Sequence, residues 1–237
     1  MDNPVIQFNR HYLVRYFEDS HFMRLYSEGM TRANSQGRDS FEKQCRYYGM
    51  YQMLRRVLER NVPGDIIECG CWRGHSSFMI SKLIAESGQK RTFHIFDSFE
   101  GGLSDRTTED SGLFAPQSAE AVKQQKQAFY STEEEVRSTL APFDFYKLYP
   151  GWIPDRFPEV AERSIALVNI DVDLYQPIRD SLRFFYPRLS PGGVIVVDDY
   201  GTTDWPGATK AVDEFLKEND VTFSIETLGS MVIVNNG

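Results

Sequence analysis

The sequence predicts an α/β fold: a doubly wound, mostly parallel sheet of seven strands, ending in an antiparallel C-terminal hairpin and preceded by a helical extension. Three observations carry that prediction. From residue 65 onward, short apolar runs alternate with helical stretches, the pattern of βαβ units around a parallel sheet. The last two runs are separated only by residues 227–230, too short a link for a parallel crossover, so they pair antiparallel. Residues 41–61 place their apolar side chains at helical spacing instead.

The elements follow in order. Residues 1–62 are expected to form the helical extension, serving as a substrate lid or an oligomer contact. Its clearest helix is FEKQCRYYGMYQMLRRVLERN, with Tyr47, Met50, Tyr51, Leu54, Val57 and Leu58 on one face. The run Asn61-Val62-Pro63-Gly64 stops it. Residues 63–237 are expected to form the main domain, with strands DIIEC, TFHIFD, FYKLY, IALVNID and VIVVDD, then VTFSIE and MVIVN as the hairpin. Between the second and third strands, residues 101–129 are a long polar insertion. In a compact domain such a segment is a lid or binding loop, or is disordered.

Composition narrows the function classes. A chain of 237 residues, 41% of them hydrophobic, buries a full core as one domain. Its net charge of −8 repels polyphosphate, so nucleic acid is not expected as a principal partner. No apolar run reaches the roughly 20 residues of a membrane helix, and the start lacks the pattern of a signal peptide. Three cysteines without disulfide or zinc spacing point to a reducing cytoplasm.

The stretch DIIECGCWRGHSS holds the first functional signal. Glu68, Gly70 and Gly74 mark a strand, a glycine turn and a helix start, yet Trp72 stands where a dinucleotide fingerprint needs its second glycine. An indole there disfavours NAD and FAD. S-adenosylmethionine carries no phosphate and needs only a backbone that curves around its amino-acid tail. Glu68 at the strand end is expected to hold water or the ammonium group, and Ser76 and Ser77 to donate from the first helical turn. Asp97 ends the next strand, where a carboxylate can accept hydrogen bonds from both ribose hydroxyls.

Three more acids stand at strand ends: Asp171 after the fourth strand, and Asp198 with Asp199 after the fifth. Converging buried carboxylates repel one another unless a cation neutralises them. All-oxygen ligands suit Mg²⁺ or Ca²⁺, and partial ligation with retained water suits Mg²⁺. Asp173 lies along the same face and is expected to support the metal or the cofactor.

The chain resembles the macrocin O-methyltransferase family, S-adenosylmethionine-dependent and Mg²⁺-dependent enzymes that methylate sugar hydroxyls on natural products. The resemblance rests on VPGDIIECGCWRG, FDSFEG, YPGWIPDRFP, NIDVDLYQPIRDSLRFFYPRLSPGGVIVVDDY and GATKAVDEF, spread over about two-thirds of the chain. It implies the Rossmann-like class I methyltransferase fold and a sugar-bearing small molecule as acceptor. It also implies cofactor positions at Glu68, Gly70, Asp97 and Ser98, and metal ligands Asp171, Asp198 and Asp199. Trp152, after the third strand, is expected as an adenine wall, with a core position as the alternative.

One departure concerns the base. Macrolide-methylating members are similar in carrying a lid histidine before the third strand, and residues 112–140 here contain none. Asp171 and His75 are the catalytic candidates, with Asp105, Glu109, Asp110, Tyr200 and Asp204 left open. His11 and His21 lie in the extension, and His94 lies inside a strand. A catechol-type O-methyltransferase and a degenerate cofactor-binding protein are the competing functions. The aromatics Phe8, Tyr12, Tyr16, Phe17, Phe22 and Tyr26 suggest a homo-oligomer.

Overall fold

A computed structural model describes residues 18–112, 115–226 and 229–237. His11, Phe8, Tyr12, Tyr16 and Phe17 lie outside the described residues, as do Leu113 and Phe114 of the insertion and Thr227 and Leu228 of the terminal turn.

Two helices open the described chain, α1 (Ser20–Arg32) and α2 (Phe41–Glu59). Asp19 and Ser40 cap them, accepting from the Phe22 and Lys43 amides at 2.9 and 3.1 Å. Then come β1 (Asp65–Cys69), α3 (His75–Ser87), β2 (Phe93–Asp97), α4 (Ala119–Ala128), α5 (Glu133–Thr139) and β3 (Tyr146–Pro150). The second half runs β4 (Ile165–Ile170), α6 (Tyr175–Phe185), β5 (Leu189–Asp198), α7 (Pro206–Glu218), β6 (Thr222–Glu226) and β7 (Ser230–Val234).

The seven strands form one sheet in the order β3-β2-β1-β4-β5-β7-β6. Pairs from β3 through β5 are parallel, whereas β7 pairs antiparallel with both β5 and β6. The expected architecture is therefore observed. Alternating side chains divide the core between the two faces, as the two-residue period of a strand requires. Ile66, Leu167, Val194 and Val196 pack under α1, α2 and α3, against Phe22, Leu25, Tyr51, Leu54 and Phe78. Ile67, Val168, Ile195 and Val197 face Ile178, Leu182, Ala211 and Phe215 of α6 and α7. All six residues of β4 are buried, as a central parallel strand covered on both faces must be.

The extension is integral to the first face. Phe22 and Tyr26 are at most 1% exposed, so the single chain itself consumes two of the aromatics expected at an oligomer contact. Among the described residues no helix is long and apolar enough to cross a membrane. The three cysteines are free and buried.

Candidate active site

The site lies where β1, β2, β4 and β5 reach their C-terminal ends and the strand order reverses between β1 and β4. Open α/β sheets leave a crevice at such a point. Gly70 makes the crevice. Its φ is +80°, and a Cβ placed there would stand 1.8 Å from the Asp171 carbonyl oxygen. Only glycine lets the two strand ends approach this closely. Gly74 then caps α3 with φ +84°.

Asp97 shapes the turn. Its Oδ2 accepts from the Cys71 and Trp72 amides at 2.8 and 3.1 Å, and its Oδ1 from the Phe99 amide at 3.2 Å. It also lines a cleft bounded by Gly70, Trp72, Phe96, Leu103, Trp152, Ile153 and Val172. Trp152 is 36% exposed, so it stands at the cleft as a wall and not inside the core. The Ser98 hydroxyl donates to the Glu100 carbonyl at 3.2 Å and so orders the loop leading from Asp97 into the insertion. Gly102, Leu103 and Ser104 border the same cleft, which brings the insertion to the site.

Glu68 sits differently from the expectation. It is fully buried, accepting from Ser77 and, at 3.3 Å, from the Asn169 side-chain amide. Burial pushes its carboxyl up to about 7. Glu68 and Ser77 therefore brace the glycine turn from beneath, while Ser76 faces an adjoining cavity.

That second cavity meets the first at Gly70, Trp72, Phe129, Asp171 and Asp173 and is roofed by Arg38, Lys43, Arg46 and Tyr47. Among the described residues one set of potential metal-ligating groups converges there. An oxygen from each of Asp171, Asp173 and Asp199 lies within 4.8 Å of the others. Asp173 and Asp199 have left-handed backbones, φ +59° and +63°. Burial, and then the Asp198 charge, raise all three carboxyls above the usual range. Such a set fits a divalent cation, which would relieve the repulsion.

Of the expected metal set, Asp171 and Asp199 belong to this cluster and Asp198 does not. Asp198 borders the cavity, but Arg46 Nε reaches both its oxygens at 2.8 and 3.0 Å, and Ser230 donates to it at 3.2 Å. Asp173 takes its place in the cluster. The partner that engages Asp198, Arg46, lies 152 residues away in sequence and was not among the expected site residues.

The candidate bases sort by their contacts. His75 is 1% exposed, sits 4.7 Å from the Tyr26 and Tyr47 ring centres, and bonds the Tyr26 carbonyl through Nε2 at 2.9 Å. Burial pushes it down to about 3, so it stays neutral and is a weak base. Asp105 pairs with Lys126 on the surface. Asp110 accepts from the Tyr175 and Thr107 amides, both at 2.8 Å, and Tyr200 donates to Asp213 at 2.9 Å. His21 bonds Tyr51 and Glu86, and His94 bonds Tyr149 and Asp65.

Known proteins give this geometry a context. The family model described as Macrocin-O-methyltransferase (TylF) matches residues 32–234. The demethyldecarbamoylnovobiocin O-methyltransferase of Streptomyces niveus is 32% identical over 182 residues, covering 75% of this chain and 67% of that enzyme. The mycinamicin III 3''-O-methyltransferase of Micromonospora griseorubida is 29% identical, covering 76% and 71%. The solved O-methyltransferase NovP superposes with a TM-score of 0.69 at 28% identity, covering 82% and 81%. The calicheamicin methyltransferase CalS11 shares the fold with a TM-score of 0.61 at 18% identity, covering 90% and 91%.

Proposed function

This chain belongs to the macrocin O-methyltransferase family, S-adenosylmethionine-dependent enzymes that methylate hydroxyl groups, and we propose that its acceptor is a sugar hydroxyl on a small natural product. The acceptors named for its relatives, a novobiocin precursor and mycinamicin III, support that class. We further propose a divalent cation, Mg²⁺ foremost, as the second requirement. The single observation that carries it is the largely buried carboxylate cluster at the inner end of the cofactor cleft.

The residues divide the work. Gly70, Trp72, Asp97 and Trp152 would hold S-adenosylmethionine, Asp97 at the ribose and Trp152 against the adenine. Asp171, Asp173 and Asp199 would hold the cation, with Asp198 fixed beside them by Arg46. When bound, the cofactor supplies an electrophilic methyl group, and the cation lowers the pKa of a bound hydroxyl. The chain's own contribution is alignment of acceptor and donor. The insertion lines the cleft through Leu103 and Phe129 and would limit water there.

Titration calorimetry tests this: S-adenosylmethionine first, then Mg²⁺, with Asp199→Asn alongside. Cation binding in the wild type and its loss in the variant are expected, followed by methylation of deoxysugar glycosides. Turnover of 3,4-dihydroxybenzoate with no glycoside methylated would turn the assignment to a catechol-type enzyme. Cofactor binding indifferent to Mg²⁺ would remove the metal from it.

The free cysteines fit a reducing cytoplasm. Self-association remains part of the proposal; edge strand β6 exposes Phe223 and Ile225 at 48% and 63%, a surface suited to a second copy. Light scattering in solution tests it, and a monomer at micromolar concentration would refute it.

A further inference from the structure

We propose that Lys43 takes the proton from the acceptor hydroxyl, filling the place that no lid histidine fills. The inference rests on the O-methyltransferase assignment above. Lys43 stands in the first turn of α2, where Ser40 fixes its backbone. Its side chain enters the cavity that also holds Asp171, Asp173 and Asp199. Its Nζ lies 5.2 Å from the Tyr47 ring centre and, among the described residues, makes no hydrogen bond or ion pair. The amine is therefore part-buried beside carboxylates to which it is not directly bonded.

The neighbouring cations are already engaged. Arg46 is spent on Asp198. Arg38 donates to the Ala128 carbonyl at 2.6 Å between the Trp72 and Phe129 rings. Neither guanidinium can give up a proton in any case, whereas a desolvated amine can.

The groups facing Lys43 come from every wall. Asp171 after β4 and Asp39 before α2 favour its ammonium form; Arg38 and Arg46 oppose it. His75 of α3 is held neutral, and Tyr47 of α2 is partly buried with its phenol raised. Burial is the largest influence and brings the amine down to about 8, near the pH at which a general base works best.

The step balances without a further reactant. The acceptor O–H bond breaks as its proton passes to Nζ. The released electron pair forms the O–CH₃ bond while the S–CH₃ bond breaks, and sulfur keeps that pair as a neutral thioether. Lys43 is left as an ammonium near Asp171 and Asp39 and returns the proton to water.

The test uses the full chain with S-adenosylmethionine and Mg²⁺, methyl α-L-rhamnopyranoside as a sugar diol, and 3,4-dihydroxybenzoate as a more acidic aromatic diol. In Lys43→Arg and Lys43→Ala, kcat is expected to fall by about a hundredfold or more, with cofactor affinity unchanged. Added methylamine restores Lys43→Ala, and the rhamnoside loses more rate than the dihydroxybenzoate. Reductive ¹³C-methylation supplies a readout independent of any acceptor. One dimethyl-lysine resonance titrates at about 8 and is missing from Lys43→Arg.

Titration of Lys43 with the other lysines at about 10.4 overturns the proposal. So does a Lys43→Arg enzyme that keeps kcat within roughly threefold of wild type. A wild-type chain that fails to bind S-adenosylmethionine sinks the O-methyltransferase assignment instead. If it binds cofactor but methylates neither probe, the amine titration alone decides.

Discussion

Replacing Gly70 by alanine drives a methyl carbon to 1.8 Å from the Asp171 carbonyl oxygen and 2.8 Å from its carbonyl carbon, both backbone atoms. Either β1 or the residue that leads the acid cluster has to move. The left-handed backbone costs an alanine about 1–2 kcal/mol, and the overpacking adds about 1–3 kcal/mol. Together they come to about 3 kcal/mol, which for a domain of this size lowers Tm by roughly 6–12 °C. Gly74→Ala is the internal control. It has a similar φ of +84°, but its Cβ would meet nothing closer than 3.4 Å, the Thr139 Cγ2. It bears only the backbone cost, roughly 2–8 °C. Thermal unfolding of both variants, with calorimetric titration of S-adenosylmethionine, separates the two effects. Gly70→Ala is also expected to weaken cofactor binding by about tenfold, equivalent to about 1.4 kcal/mol. A Gly70→Ala protein no less stable than Gly74→Ala, with wild-type cofactor affinity, would refute the claim that this close approach builds the site.

Three further outcomes are expected. Glu68 has a folded pKa raised from 4.5 to about 7, so its favourable protonated state is fully present below 4.5 and is lost as pH rises through 7. Chemical unfolding should therefore show Glu68→Gln gaining on wild type across that window, by on the order of 3 kcal/mol, and a pH-independent difference would contradict it. Arg46→Met leaves Asp198 uncompensated in a largely buried pair, with side chains 23% and 12% exposed; a loss of about 3 kcal/mol is expected in urea unfolding. Trp152→Ala should weaken S-adenosylmethionine by about tenfold with Tm unchanged, as removal of a stacking wall does; a lower Tm with intact affinity would make Trp152 a packing residue.

The sheet was legible because its signal is local. Alternating runs such as IALVNID and VIVVDD report both the strand and its burial, and the short gap before MVIVN dictates the antiparallel end. Strand limits moved by a residue or two, and β5 begins at Leu189, because the pairing of Leu189 with Ile165 of β4 extends it back past a Pro-Gly-Gly stretch that reads as a turn. The glycine turn and the acids at strand ends were legible for the same reason. What failed to show was the roof. The helical spacing of residues 41–61 reveals which side of α2 is apolar, but not that its first turn lies over the ends of β4 and β5. Lys43, Arg46 and Tyr47 therefore gave no sign of belonging to the site. Nor does spacing reveal the left-handed turns at Asp173 and Asp199.

The strand order also governs how this molecule is made. Ile66 of β1 pairs with Phe93 of β2 on one side and with Leu167 of β4 on the other, about a hundred residues further along the chain. During synthesis one edge of β1 therefore stays open until β4 has emerged. Contacts of such long sequence separation fold slowly, and an unpaired apolar strand is exposed to aggregation meanwhile. Gly70 and Asp171 sit on the two sides of that last junction, so the two halves of the catalytic crevice meet only when the sheet closes. A ribosome-bound fragment ending before β4 would display half a binding site and no activity.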